Sequence, residues 1–184
     1  MSRSDHEVRP TGGRGNYDPR TDERRPWWRK LDLIAPDGST FLRRRGLTTD
    51  GVGGVLLHRI DAPDPGLDLH DHPWSFASIV LRGGYTEEWG RVTNAVPHDI
   101  RGRGFRSWGA GSIHRMPLNR AHRITAVKPG TVTLVLHGPR RRRWGFFMPT
   151  GWVDWAGYDY EARRPVAVDS TRLGESMDRR EAGA

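Results

Sequence analysis

From about residue 31 to residue 157 the chain is cut into short apolar or alternating runs. Gly, Pro, Asn or Asp closes each run, and no convincing amphipathic stretch of ten residues interrupts them. This punctuation constrains the fold more than any other feature, because short runs of period-two alternation bury one face only as strands. Strands are expected at Ser39–Arg45, Val55–Ile60, Phe76–Arg91, Phe105–Trp108, Ser112–Met116, His122–Val127, Thr131–His137 and Trp144–Met148. Turns are expected at Pro36-Asp37-Gly38, Asp50-Gly51, Pro63-Asp64-Pro65-Gly66 and Lys128-Pro129-Gly130, where Gly and Pro set the backbone. About eight strands in about 120 residues predict an all-β sandwich, jelly roll or small barrel.

The flanks read differently. Residues 1–30 are rich in Gly, Pro, Arg and Asp without apolar periodicity, and carry more basic than acidic side chains. They bury too little to offset the entropy of ordering, so a disordered basic arm is expected. Residues 158–184 have mixed charges and are expected to form a peripheral tail, with one short helix near Ser170–Arg180. One β domain over 31–157 remains, as suits a chain of 184 residues.

Composition narrows the chemistry. With no cysteine, disulfides, thiolate metal sites, iron–sulfur clusters and a Cys nucleophile are excluded, so any metal must sit on His, Asp or Glu. The net charge is +8, and of the 30 basic residues all but Lys30 and Lys128 are arginine. Such a balance permits a polyanion partner. The sharpest charge run, Arg140-Arg141-Arg142-Arg143, follows Gly138-Pro139 and reads as a solvated turn rather than a nucleic-acid patch. No apolar run approaches the ~20 residues of a membrane span, and the N-terminus has no apolar core behind its charges. A soluble, cytoplasmic protein is expected. No GxSxG elbow, lysine-bearing phosphate loop or HExxH helix is present, and Gly12-Gly13-Arg14-Gly15 has no strand before it to make a dinucleotide fingerprint.

The most informative stretch is Leu69-His70-Asp71-His72-Pro73-Trp74-Ser75-Phe76. In a strand, residues two apart face the same side, so His70 and His72 project together and Asp71 points away. Two neutral imidazoles so placed are half of a metal site, although an exposed His-x-His strand has the same spacing. A second stretch, from Gly111 through Pro117 to His122, reads as strand, turn, strand with one histidine shortly after the turn.

Together the two stretches resemble the cupin superfamily. Its first motif has Gly, His-x-His, a Glu and a closing Gly; its second has Gly, Pro-x-Gly-x-x-His and a closing Asn. His70, His72 and Gly83 or Gly84 match the first, and Gly111, Pro117 and His122 match the second at full spacing. The chain departs from the pattern where the family glutamate should stand, at Phe76 or Ala77. It also carries Asn119 for the turn Gly and Ala126 for the closing Asn, and Gly66 lies closer to His70 than the motif asks. The HDHPWSFASIVLRGGYTEE and WGFFMPTGWVDW runs are also similar to small cupin-like proteins of bacteria and their phages, a likeness that implies fold rather than reaction. The resemblance covers roughly residues 50–140. It implies a double-stranded β-helix (jelly-roll) barrel and a divalent ion, Fe(II) foremost and Mn, Ni, Cu or Zn as alternatives, held by His70, His72 and His122. Three-histidine cupins of this kind include dioxygenases, and cupins often form homodimers through the outer sheet.

Around that set the candidates are as follows. His114, on a face expected to be inward, is a fourth ligand, a proton shuttle or a core histidine. Arg82 and Arg59 lie on strands where an inward guanidinium clamps a substrate carboxylate and an outward one caps the rim. Glu87 and Glu88 end the long strand, only one of them facing inward, and Glu87 is a reserve general base. The aromatic run from Trp144 to Trp155 either lids a pocket or seals the barrel. Three functions stay open: a metal-dependent oxygenase acting on a small anionic or chelating molecule, a non-catalytic binding cupin, and a metal-independent isomerase or epimerase that needs a His/Tyr acid–base pair.

Overall fold

The computed structural model describes residues 28–49, 51–93, 100–160 and 162–163. Their regular structure is almost entirely β. In chain order the strands are β1 (Trp28–Ile34), β2 (Thr40–Thr49), β3 (Gly53–Ile60), β4 (Leu69–His70), β5 (Phe76–Arg82) and β6 (Gly84–Val92). They continue as β7 (Ile100–Gly109), β8 (Ile113–Met116), β9 (Arg120–Val127), β10 (Thr131–His137), β11 (Gly145–Met148) and β12 (Gly151–Asp154). A 3-10 turn, Trp155–Gly157, follows.

The strands form two six-stranded antiparallel sheets, ordered β1-β2-β3-β10-β5-β8 and β12-β11-β4-β9-β6-β7. After β3 the chain passes repeatedly from one sheet to the other. This is the jelly-roll barrel expected from the sequence. The expected strand over Phe76–Arg91 is two strands, broken at Gly83, where the chain leaves the first sheet for the second. Gly83 has φ 77°, and a Cβ there would meet the Thr131 hydroxyl at 2.4 Å, so only glycine fits the corner. The Thr131 hydroxyl accepts the Gly84 N–H at 2.9 Å and so pins the crossing.

Alternation decides what each sheet buries. In the first sheet Leu42, Arg44 and Gly46 of β2 lie opposite Ile60, His58 and Leu56 of β3. The last two of these lie opposite Thr133 and Val135 of β10. The main core, Phe41, Leu42, Ile60, Val80, Tyr85 and Ile124, draws on both sheets and closes one part of the barrel. A second cluster, Leu69, Val92, Ala121 and Phe147, belongs to the second sheet alone. Leu69 and Ala121 adjoin His70 and His122 in sequence, so this cluster lies on the opposite face from the histidines.

The ends were drawn differently by the sequence. Residues 1–27 and 164–184, with the helix expected near Ser170–Arg180, lie outside the described residues. Trp28–Ile34 is an edge strand paired with β2, so the barrel takes in the last residues assigned to the arm. Tyr158, assigned to the peripheral tail, is buried and stacks on Phe146 with ring centroids 3.7 Å apart. Arg163 grips both oxygens of the buried Asp68, each at 2.7 Å.

Candidate metal centre

His70 closes β4, a strand of two residues whose neighbours are β9 on one side and β11 on the other. It lies directly opposite His122 on β9 and Phe146 on β11. His72 follows in the loop after β4. One ring nitrogen from each of His70, His72 and His122 falls within 4.8 Å of the other two. The Nε2 atoms of His72 and His122 are 2.9 Å apart.

Asp71, just past the end of β4, is turned to partners of its own. One carboxylate oxygen accepts the Gly145 N–H at 2.8 Å and the other meets Arg142 at 3.0 Å. Arg142 also donates to the His72 and Leu118 carbonyls. The arginine run read as a solvated turn therefore has one member that clasps the histidine loop, and Arg143 pairs with Asp154.

The surroundings are apolar and aromatic. The Phe76 ring stands edge-on to His72 at 4.9 Å, occupying the position where the cupin glutamate was expected. Phe146 and Trp144 approach His70 at 5.7 and 6.2 Å. Burial, reinforced by the neighbouring imidazoles and by the Arg44 guanidinium, holds His70 and His72 well below the usual histidine range. Neutral imidazoles keep the lone pair that a metal requires.

Glu87, the reserve base, has another place. It is 1% exposed; Oε2 lies 2.7 Å from His122 Nδ1, and Oε1 accepts the Trp108 indole N–H at 2.9 Å. Burial alone would raise its carboxyl, but the bonds from His122 and Trp108 outweigh that and keep it below the ordinary value. With both oxygens engaged, Glu87 orients His122 so that Nε2 faces the other histidines. Asp64, read only as a turn residue, lies 3.9 Å from His70 Nδ1 and accepts the Ile124 N–H at 2.7 Å.

Arg82 and Arg59 do not reach the centre. Alternation from Phe76 would turn Arg82 inward, but the β5–β10 register shifts between Val132 and Thr133, so Val80 lies opposite Thr133 and Arg82 opposite Val132. That bulge carries Arg82 to the outer face. Arg59 lies opposite the same Val132; its side chain is 60% exposed and pairs with Asp61 at 3.0 Å. The inward arginine is Arg44, which donates from Nε to His58 Nε2 at 2.9 Å. Burial, with Arg44 and His137 adding to it, keeps His58 neutral, as an acceptor must be. Arg44 stands within Arg43-Arg44-Arg45, where alternation shows that the middle residue opposes its neighbours but not which face is inner.

His114 is inward and buried, but is not among the converging nitrogens. Its Nε2 lies 2.7 Å from the Tyr85 hydroxyl, its ring stacks on Trp108 at 4.4 Å, and its Nδ1 is buried without a hydrogen-bond partner among the described residues. The aromatic run forms β11, β12 and the turn beyond, with Phe146 between His70 and Tyr158. No helix among the described residues is long and apolar enough to cross a membrane.

No family model matches the chain, and no curated protein does. Among solved structures it is similar to a cupin-2 domain protein from Rhodospirillum rubrum, with TM-score 0.47, 14% identity, and coverage of 70% of this chain and 80% of that one. It is similar to KdgF from Halomonas sp., with TM-score 0.43, 19% identity, and coverage of 65% and 92%. It is also similar to Fe(II)-HppE with the alternative substrate (S)-1-HPP, with TM-score 0.44, 16% identity, and coverage of 60% of this chain. The match spans about half of HppE, 55% of its length. At these values the likeness concerns the course of the chain and says nothing of a reaction.

Proposed function

We propose that this chain, a cupin by fold, binds one divalent metal ion through His70, His72 and His122 and acts as an oxygenase on a small anionic or chelating molecule. The observation that carries this reading is the convergence of three imidazole nitrogens within 4.8 Å in an aromatic, largely buried setting. The donor set fits an imidazole-binding ion, Fe(II) first, with Mn, Ni, Cu or Zn as alternatives. Such an ion, keeping its full charge and open positions, supplies Lewis acidity and reactivity toward dioxygen.

The chain's own side chains do the rest. Glu87 fixes the His122 tautomer, Asp64 faces His70, and Phe76, Trp144 and Phe146 exclude water from the histidines. His114, bonded to Tyr85, is placed to hold or pass a proton away from the ligands. The reading includes a homodimer. Val55, Leu57, Leu81, Ile113 and Leu136 are exposed large apolar side chains of the first sheet, and an apolar face of this kind marks a contact surface.

Elemental mass spectrometry of protein purified without chelator tests the metal, with about one ion per chain expected. No bound metal, and none taken up on reconstitution, overturns the reading. Oxygen consumption across carboxylates, thiols, diketones and phenols then separates an oxygenase from a binding cupin. One observation favours a second reading: the Tyr85–His114 contact of 2.7 Å is the His/Tyr pair that a metal-independent isomerase or epimerase needs. Turnover surviving complete chelation would select it.

A further inference from the structure

At one end of the second sheet a cross-strand row is made of arginine. Arg120 is the first residue of β9, Arg91 the last but one of β6, and the two lie directly opposite each other. Arg101, the second residue of β7, lies opposite Arg91 on its other side. The β6–β9 register runs unbroken from Glu87 to Arg91 and pairs Trp89 with His122, the next row inward on the same face. Residues two apart along a strand share a face and stand roughly 7 Å apart, so Arg120 is beside His122 and Arg91 beside Trp89. β4 runs antiparallel to β9, and the chain leaving His70 for His72 heads toward this same end. The arginine row is therefore part of the barrel rim next to the three histidines.

Two guanidiniums paired across adjacent strands repel each other. Elsewhere the arginines of this sheet and its loops end on carboxylates: Arg103 and Arg123 on Glu88, Arg142 on Asp71, Arg163 on Asp68. Among the described residues neither Arg91 nor Arg120 has such a partner. Arg91 is exposed. Arg120 is half-buried, with its guanidinium carbon 4.9 Å from the centre of the Trp89 ring. That ring lies against Gly104, where an added Cβ would touch it at 3.4 Å. A guanidinium braced through its face keeps the N–H groups at its edge for an acceptor. A carboxylate brings one charge and two oxygens, enough for one fork. A phosphoryl dianion brings two charges and three oxygens, enough to bridge both arginines and turn their repulsion into attraction.

We propose that Arg91 and Arg120 form an anion subsite on the barrel rim that takes a phosphoryl dianion, the charged end of a small molecule whose other end reaches the histidines. The anion site needs only these two arginines; its role as a subsite of the histidine centre rests on the proposed metal reading.

The test titrates the full chain, as purified and after chelator treatment, with inorganic phosphate and with acetate by calorimetry at low ionic strength, where screening is least. Phosphate should bind saturably, and acetate at least about tenfold more weakly. Arg91→Gln and Arg120→Gln should each weaken phosphate binding by at least about tenfold, the loss expected for a charged hydrogen-bond partner. Arg115→Gln makes the same change of charge at an exposed position on the outer face of β8 and should leave the midpoint unaltered. Absence of saturable phosphate binding, an unchanged midpoint in either rim variant, an equal loss in Arg115→Gln, or acetate bound as tightly as phosphate each overturns the proposal. Should Arg120→Gln lose its fold, as read by circular dichroism, Arg91→Gln decides alone. The chelated sample keeps the two readings apart. Phosphate binding that survives chelation and depends on the arginines upholds the site whatever becomes of the metal centre, and binding that needs both ion and arginines upholds it as part of that centre. Binding that vanishes with the ion and ignores the arginines overturns it.

Discussion

Two groups of three histidines occupy the described part of the barrel, and they behave differently. His70, His72 and His122 bring their ring nitrogens to one point. His58, His114 and His137 each sit with a partner of their own: Arg44 for His58, Tyr85 for His114, and the Gly138 carbonyl with the Trp74 ring for His137. Composition does not distinguish the groups, and burial does so poorly. The difference is register. His70 and His122 are direct cross-strand partners and His72 follows two residues later, whereas His58 lies opposite Thr133, His114 opposite Ser78 and His137 opposite Phe76. Inward histidines become a ligand set only when pairing aligns them. Otherwise each is a separate polar group in a wall, held by its own neighbours.

The contrast can be broken most severely by removing ligands. His70→Ala/His122→Ala should lower metal affinity by more than about a hundredfold, beyond the usual loss from outer-shell changes. His58→Gln should leave the metal content unchanged. Competition with a chromogenic chelator reads both, and equal losses would erase the distinction between the groups.

A smaller effect is expected at Glu87→Gln. The amide still reaches His122 but supplies no charge, so affinity should fall by about tenfold to a hundredfold while the barrel remains folded. Unchanged affinity would show that His122 needs no orienting carboxylate. The mildest test sharpens the other group. His114→Phe keeps the stacking on Trp108 and removes one partner of the Tyr85 hydroxyl, leaving it Ser78, which should cost about 0.5–1.5 kcal/mol in urea unfolding, with metal binding unaltered. Loss of the metal in that variant would place His114 among the ligands after all.

Much of this was legible in the sequence. Alternating runs located eight stretches of strand, because alternation is what a half-buried strand requires. Leu69–His70 is too short to show a period; it exists as a strand because β9 and β11 flank it. Gly151–Asp154 was read within an aromatic segment because Trp152 and Trp155 serve a lid and an edge strand alike. The three converging histidines could be found by spacing, although His72 lies just past the two-residue strand that ends at His70. Glu87 and Arg44 depend on which residue lies across the sheet, and one bulge between Val132 and Thr133 was enough to turn Arg82 from the inner face to the outer.

The clasp on Asp71 has a consequence for how an ion arrives. The residue between the two loop histidines is held by the Gly145 amide and by Arg142, so the loop is fastened to the second sheet by bonds that involve no metal. Part of the ordering cost of the three-histidine geometry is met when the barrel folds, so an ion bound at the proposed centre would meet a loop already held in place. An ion bound there would come and go locally, as a ligand does, because the loop's fastening does not depend on it.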